Sequence, residues 1–247
     1  MGSLPVAPQL YTVRDHLDKD PAGTLKRVKE IGYDYVELAG MAGMTAAECK
    51  QALDDIGLTP VSSHFGREAL EDDLGGTIET CKTLGIDFAV LPHASADDKD
   101  GWIAIAKMLD GAGAKLREAG IRLCYHNHAH EFKQFDGQYA FDLLYEIARP
   151  ENLALQLDTF WVQYGKADPV EKIKQYAGRC PLLHMKDMAP EGEQPIFAEM
   201  GKGIMDWPPI LDAAKAAGVE WYIVEQDDWA GDSIESAAIS AEFMAQL

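Results

Sequence analysis

The chain has 247 residues, 47% of them hydrophobic and 26% charged, with 41 acidic against 22 basic side chains and a formal net charge of −19. That is apolar material enough for a large core, which argues against disorder, and the negative field repels nucleic-acid and membrane phosphates, so neither is expected as a partner. No run approaches the roughly 18 apolar residues of a membrane span, the opening residues lack a basic segment followed by an apolar one, and four cysteines without a CxxC pair read as reduced thiols, so a cytoplasmic protein is expected.

Along the chain, short apolar runs alternate with amphipathic helical patterns. Strands are predicted at residues 6–10, 33–38, 59–63, 88–91, 121–126, 153–158, 182–186 and 221–225. Helices are predicted at 22–31, 46–56, 67–84, 102–119, 208–217 and 233–246. Gly32, Gly57, Gly85, Gly120 and Gly218 each stand between a helical stretch and the next strand, where a helix stop belongs. Eight such units imply a parallel sheet closed into a single (β/α)8 barrel domain, a TIM barrel, over residues 1–247, and that architecture takes about 250 residues. A doubly wound open sheet would carry a glycine-rich phosphate loop after its first strand, whereas this chain has QLYTVRD at 9–15.

Barrels of this kind place their chemistry at the C-terminal ends of the strands. The residues there are Gln9, Glu37, His64, His93, His126 with His128, Asp158, His184 with Lys186, and Glu225. Alternate strand residues face opposite sides, so in 153–158 the three leucines share one face and leave Ala154, Gln156 and Asp158 inward. The same parity turns Cys124 and His126 inward, and Lys186 with His184. Asp158, His184 and Glu225 then converge on one mouth, with a fourth donor expected between His126 and Glu131. Such a set suits Mg²⁺, Mn²⁺, Co²⁺ or Zn²⁺. The alternative is a rim of salt bridges without metal, for example His184 or Lys186 with Asp158. Glu37 and His64 are expected to bind substrate, Glu37 also being open to a ligand or salt-bridge role. Lys186 is expected on a substrate oxygen and Trp161 as a pocket wall or a helix-packing residue. His93 and His130 are expected on the loop surface, and Asp187 facing away to orient a neighbour.

QLYTVRD (9–15), IGYDYVEL (31–38), YHNHAHEF (125–132), LQLDTFWVQYGKADP (155–169), LLHMKD (182–187), GKGIMDW (201–207) and YIVEQD (222–227), in this order, resemble the sugar phosphate isomerase/epimerase family of xylose-isomerase-like barrels. The resemblance covers residues 9 to 225 and puts the family's ligands on Asp158, His184 and Glu225. Where the epimerases end strand five with a Glu ligand, this chain has His126. The HNHxxEF pattern implies Glu131 as the fourth ligand, with His126 the alternative. A family histidine three residues after the strand-six Asp is replaced here by Trp161. The resemblance implies proton abstraction next to a carbonyl and an enediolate, with Glu225 as base and His126 or His128 as partner acid or base. It thus implies an isomerase or epimerase of a keto-sugar or polyol, or, on the same residues, a lyase or dehydratase acting on a keto-sugar, inosose or keto-glycoside. A carbohydrate-binding barrel without turnover is the alternative of another class; a related endonuclease is disfavoured by the charge. No phosphate cradle is visible, so an unphosphorylated sugar or cyclitol is the expected substrate. Barrels of this group often associate, which makes a homo-oligomer an expectation from resemblance.

Overall fold

The structure, a computed structural model, describes residues 5–192 and 196–247. Eight parallel strands run β1 (Val6–Pro8), β2 (Tyr35–Leu38), β3 (Thr59–His64), β4 (Phe88–Leu91), β5 (Arg122–His126), β6 (Ala154–Asp158), β7 (Leu182–Met185) and β8 (Trp221–Val224). From β2 to β8 each strand hydrogen-bonds to the next in chain order, and β8 pairs back onto β1. A parallel bridge between Gln9 and Glu37 links β1 to β2 and closes the ring. The architecture is therefore the (β/α)8 barrel expected from the alternation of runs.

Helices cover the outside, the major ones being Pro21–Ile31, Ala46–Ile56, Leu74–Leu84, Lys99–Glu118, Ala140–Ile147, Pro169–Gln175, Trp207–Ala217 and Ser233–Met244. The helix expected over 67–84 is broken in two. Arg67–Glu71 stops, and Asp73 caps a new helix by accepting from the Gly76 N–H. An aspartate there satisfies a backbone donor that a continuous helix would leave to its own ladder. The first strand is shorter than expected, because Gln9 turns its side chain onto the Tyr11 N–H and starts the short 3-10 helix Leu10–Val13.

Leucines on the outer faces of the strands pack against the helices in one large core, including Leu123, Leu153, Leu155, Leu157 and Leu183. Two smaller apolar groups fill the lumen: Phe88, Val90, Cys124 and Leu182, and Ala7, Val61 and Ile223. They form a plug below the mouth, as a packed barrel requires. All four cysteines are free and buried, and burial pushes the Cys180 thiol up to about 12. Above the plug the lumen turns polar.

Candidate metal centre

That polar layer is set by strand alternation and one irregularity. Gln9, Glu37, Gln156 and His184 are all fully buried. Gln9, Gln156 and His184 follow Ala7, Ala154 and Leu182 by one pleat. In β3 alternation from the inward Val61 would turn Ser63 inward. Instead the register with β2 slips between Val36, opposite Pro60, and Glu37, opposite Ser62. That bulge resets the parity, so Ser62 and His64 face the lumen.

At the mouth, His126, Asp158, His184 and Glu225 present donor atoms that all lie within 4.8 Å of one another, and all four residues are buried. Asp158 divides its two oxygens. Oδ1 accepts from the Trp161 N–H at 2.9 Å, capping the short helix Thr159–Tyr164. Oδ2 is buried and receives no aligned hydrogen bond, although Lys186 Nζ lies 3.1 Å away. His126 Nδ1 is likewise buried without a partner. Asn127 holds Asp158 in place: its Oδ1 accepts from the Asp158 N–H at 3.0 Å and its Nδ2 donates to the Asp158 carbonyl at 3.3 Å. The side chain thus imitates a strand and extends the pairing of β5 with β6 past its end.

Charge is concentrated here. Glu37, Asp158, Glu225 and Asp227 are set against two cations, His184 and Lys186. Burial alone would drive the His184 imidazole down, but the Glu37 charge and the contacts to Glu225 and Glu37 outweigh it and raise it to about 10. Lys186 lies 2.7 Å from Glu225, 3.0 Å from Asp227 and 3.1 Å from Asp158. Burial opposes its charge, yet those three carboxylates hold it raised. Burial would raise Glu225, but Lys186 and then His184 hold it well below the usual carboxylate range. Burial pushes Asp158 up, and burial with Glu225 and Asp158 pushes Asp227 up to about 6 against the pull of Lys186. Buried carboxylates outnumber their cations, and an unpaired acceptor, an unpaired imidazole nitrogen and a mixed N/O donor set fit a divalent ion.

Glu131 stands apart from this set. Its carboxylate accepts from the Tyr125 hydroxyl at 2.6 Å and the His128 N–H at 2.9 Å, behind the strand rather than over the lumen. His126 occupies the fourth corner instead, because it has inward parity and Glu131 sits on a loop tied to the outward-facing Tyr125. A cavity of about 510 Å³ opens above the centre, lined among others by Tyr11, His64, His93, His126, His128, Lys186, Glu225 and Asp227. His128 faces it with Nδ1 unpartnered, and burial followed by Lys186 holds the imidazole down to about 3. Trp161 packs on the His128 ring at 5.3 Å and lies 5.6 Å below Lys186 Nζ. Glu37 does not line the cavity. It lies under His184, with no exposed surface.

A family model for the xylose isomerase-like TIM barrel matches residues 25–247. The chain belongs to that family. This xylose isomerase-like barrel is 24% identical over 278 aligned residues to an inosose dehydratase from Geobacillus kaustophilus (strain HTA426), covering 94% of this chain and 88% of the relative. It is also 24% identical to the rhizopine catabolism protein MocC of Rhizobium meliloti, over 90% of this chain and 80% of that one. A sugar phosphate isomerase/epimerase crystal structure from Parabacteroides distasonis ATCC 8503 superposes with a TM-score of 0.84 at 25% identity, covering 98% and 94% of the two chains. The IOLI protein, crystallised with a bound zinc atom, shares the fold at a TM-score of 0.77 and 18% identity, over 98% and 97% of the chains.

Two residues of this xylose isomerase-like site escaped sequence reasoning. Asp227 lies past the end of β8, where parity gives no guide. Asn127 sits between two histidines that drew attention as donors, and its role as a strand mimic exists only in three dimensions. Asp187 does face away, as expected. Its carboxylate accepts from the Gly201, Gly203 and Met205 N–H groups and the Trp207 indole, at 2.8 to 3.2 Å.

Proposed function

We propose that this chain is a divalent-metal-dependent enzyme that removes the proton next to the carbonyl of an unphosphorylated keto-sugar or keto-cyclitol, with dehydration as the net reaction. The observation that carries this is the buried set His126, Asp158, His184 and Glu225, in which Asp158 Oδ2 and His126 Nδ1 lack hydrogen-bond partners. These four residues would hold Mn²⁺, Mg²⁺, Co²⁺ or Zn²⁺. When bound, the ion supplies Lewis acidity to the carbonyl and neighbouring hydroxyl oxygens of the substrate. The inosose dehydratase relative supports the class of substrate and the branch.

The protein's own residues divide the remaining work. Glu225 stays ionised beside Lys186 and is the base for the proton on carbon. Lys186 is a buried ammonium facing the cavity, able to give a proton to the departing hydroxide. The leaving oxygen thus departs as water, and Lys186 recovers the proton from Glu225, 2.7 Å away. His126 and His128 on the opposite wall are held neutral by burial. Unlike groups on the two walls favour elimination over epimerisation, which returns the proton to the opposite face of the same carbon and works best between matched bases. Among the described residues that line the cavity Lys186 is the one lysine or arginine, and three carboxylates already engage it. That speaks for a substrate without phosphate.

Isomerisation or epimerisation is the second reading, favoured by the neutral His128 at the wall and by the isomerase/epimerase neighbour. Incubating metal-loaded protein with keto-sugars and keto-inositols in D₂O separates the two. Loss of one water from the product supports dehydration. Deuterium in a product of unchanged composition supports isomerisation. Metal-loaded protein that neither exchanges the proton nor turns over any such substrate removes both.

A further inference from the structure

We infer that Glu37 is a positioning residue that fixes the tautomer of His184, leaving the proton on Nε2 and making Nδ1 the metal-binding atom. This rests on the metal-dependent reading above and assigns a role beneath the site. Glu37 accepts from Gln9 Nε2 at 2.7 Å, Ser62 Oγ at 2.5 Å and Gln156 Nε2 at 2.5 Å. His64 Nε2 lies 3.1 Å and His184 Nε2 2.7 Å from Glu37 Oε1. An ionised carboxylate only accepts, with about four lone-pair sites, so these contacts use up its capacity and leave none for substrate or metal. The groups come from β1, β3, β6 and β7 and hold the carboxylate from every side. Its conformation is therefore set before any ion arrives.

The consequence falls on His184. Both His184 nitrogens lie within hydrogen-bond distance of acceptor-only oxygens, Nε2 2.7 Å from Glu37 Oε1 and Nδ1 2.9 Å from Glu225 Oε2, so both carry hydrogen before an ion arrives. Nε2 keeps its own because the filled Glu37 carboxylate has no place for an ion. The other nitrogen, Nδ1, faces the donor set, 2.9 Å from Glu225 Oε2 and 4.0 Å from Asp158 Oδ2. A ligating imidazole is oriented, and made more basic, by a carboxylate on its far nitrogen. The polar layer over the apolar plug thus has a purpose, and so does the bulge in β3, which turns Ser62 onto Glu37.

Glu37→Gln tests this with nearly unchanged shape, since it places an amide among donors that need an acceptor. Zn²⁺ affinity is measured by competition with a chelating dye, and the His184 imidazole shifts are read by NMR on ¹⁵N-histidine-labelled protein. Wild type is expected to show Nε2 protonated and Nδ1 on Zn²⁺, and Glu37→Gln is expected to lose about 10–100-fold in affinity. Equal affinity in the variant, or ligation of the wild type through Nε2, overturns the inference while leaving the metal reading intact. Wild type that binds no Zn²⁺ removes both. Should Glu37→Gln not fold, the wild-type spectrum alone still decides which nitrogen binds.

Discussion

Among single residues, the fourth corner separates most sharply. His126→Ala is expected to loosen the metal by at least an order of magnitude, whereas Glu131→Ala is expected to leave affinity nearly unchanged. The same Glu131→Ala strands the His128 N–H and leaves the buried Tyr125 hydroxyl only its longer 3.3 Å bond to the Ala94 carbonyl, and should cost about 1–3 kcal/mol in urea unfolding. Parallel metal titrations and melts of the two variants check both. A result in which Glu131→Ala alone releases the ion would restore the loop carboxylate as ligand. His184 carries the pH dependence. Its folded-state value of about 10 lies above the ordinary histidine value, so its ion pairs stabilise the metal-free protein fully below the ordinary value. That contribution fades as pH rises through the window up to about 10. Metal binding runs the other way, because the ion must displace the proton on Nδ1. Calorimetric titration with Zn²⁺ at neutral pH, in buffers of different ionisation enthalpy, should therefore show proton release and an affinity that grows with pH. These roles were partly legible in the sequence: strand ends and parity put Asp158, His184, Glu225 and His126 at one mouth. Glu37 was legible as a polar strand end but not as a buried hub, since its partners come from strands far apart in sequence.

At the scale of elements, one helix offers an internal comparison. In Lys99–Glu118, Gly111 has open space where a Cβ would stand, whereas at Gly113 a Cβ would sit 1.8 Å from the Asn152 carbonyl oxygen. Gly111→Ala should stabilise by roughly 0.5–1 kcal/mol through helix propensity. Gly113→Ala should instead destabilise by about 1–3 kcal/mol, because backbone must move. Thermal melts of the pair give opposite signs if the helix packs as described. Gly203 makes a similar demand, as a Cβ there would lie 2.2 Å from Asp187 Oδ1. Strand and helix order was readable from hydrophobic period and the glycine stops. Gly57 and Gly218 do take the left-handed conformation that ends a helix, with φ of 77° and 82°. The break at Asp72–Asp73 and the bulge at Val61 were not readable. Each changes local hydrogen bonding without altering the apolar pattern.

For the whole molecule, the proposed ion should act as a ligand of the folded state alone. Thermal midpoints are expected to rise with Mn²⁺ or Zn²⁺ concentration, by about 2.7 kcal/mol of stability at a hundredfold excess over Kd. Chelator should reverse the gain, and Asp158→Ala should abolish it. An unchanged midpoint at saturating metal in wild type would remove the ion from the site.

The sequence by itself determined the barrel, its strand order and, outside the bulged β3, the alternation that turns residues toward the lumen, because each depends on a local period and on the two-residue repeat of a strand. It also named Asp158, His184 and Glu225 for the proposed centre, from their places at or just past strand ends. Tertiary structure brings His126 beside them and builds the floor. His126 is there because it ends a strand with inward parity, while Glu131 is drawn onto Tyr125 behind that strand. Glu37 became the support of His184 because closure of the barrel brings groups from four other strands within hydrogen-bond reach of one buried carboxylate, a proximity that no spacing along the chain encodes.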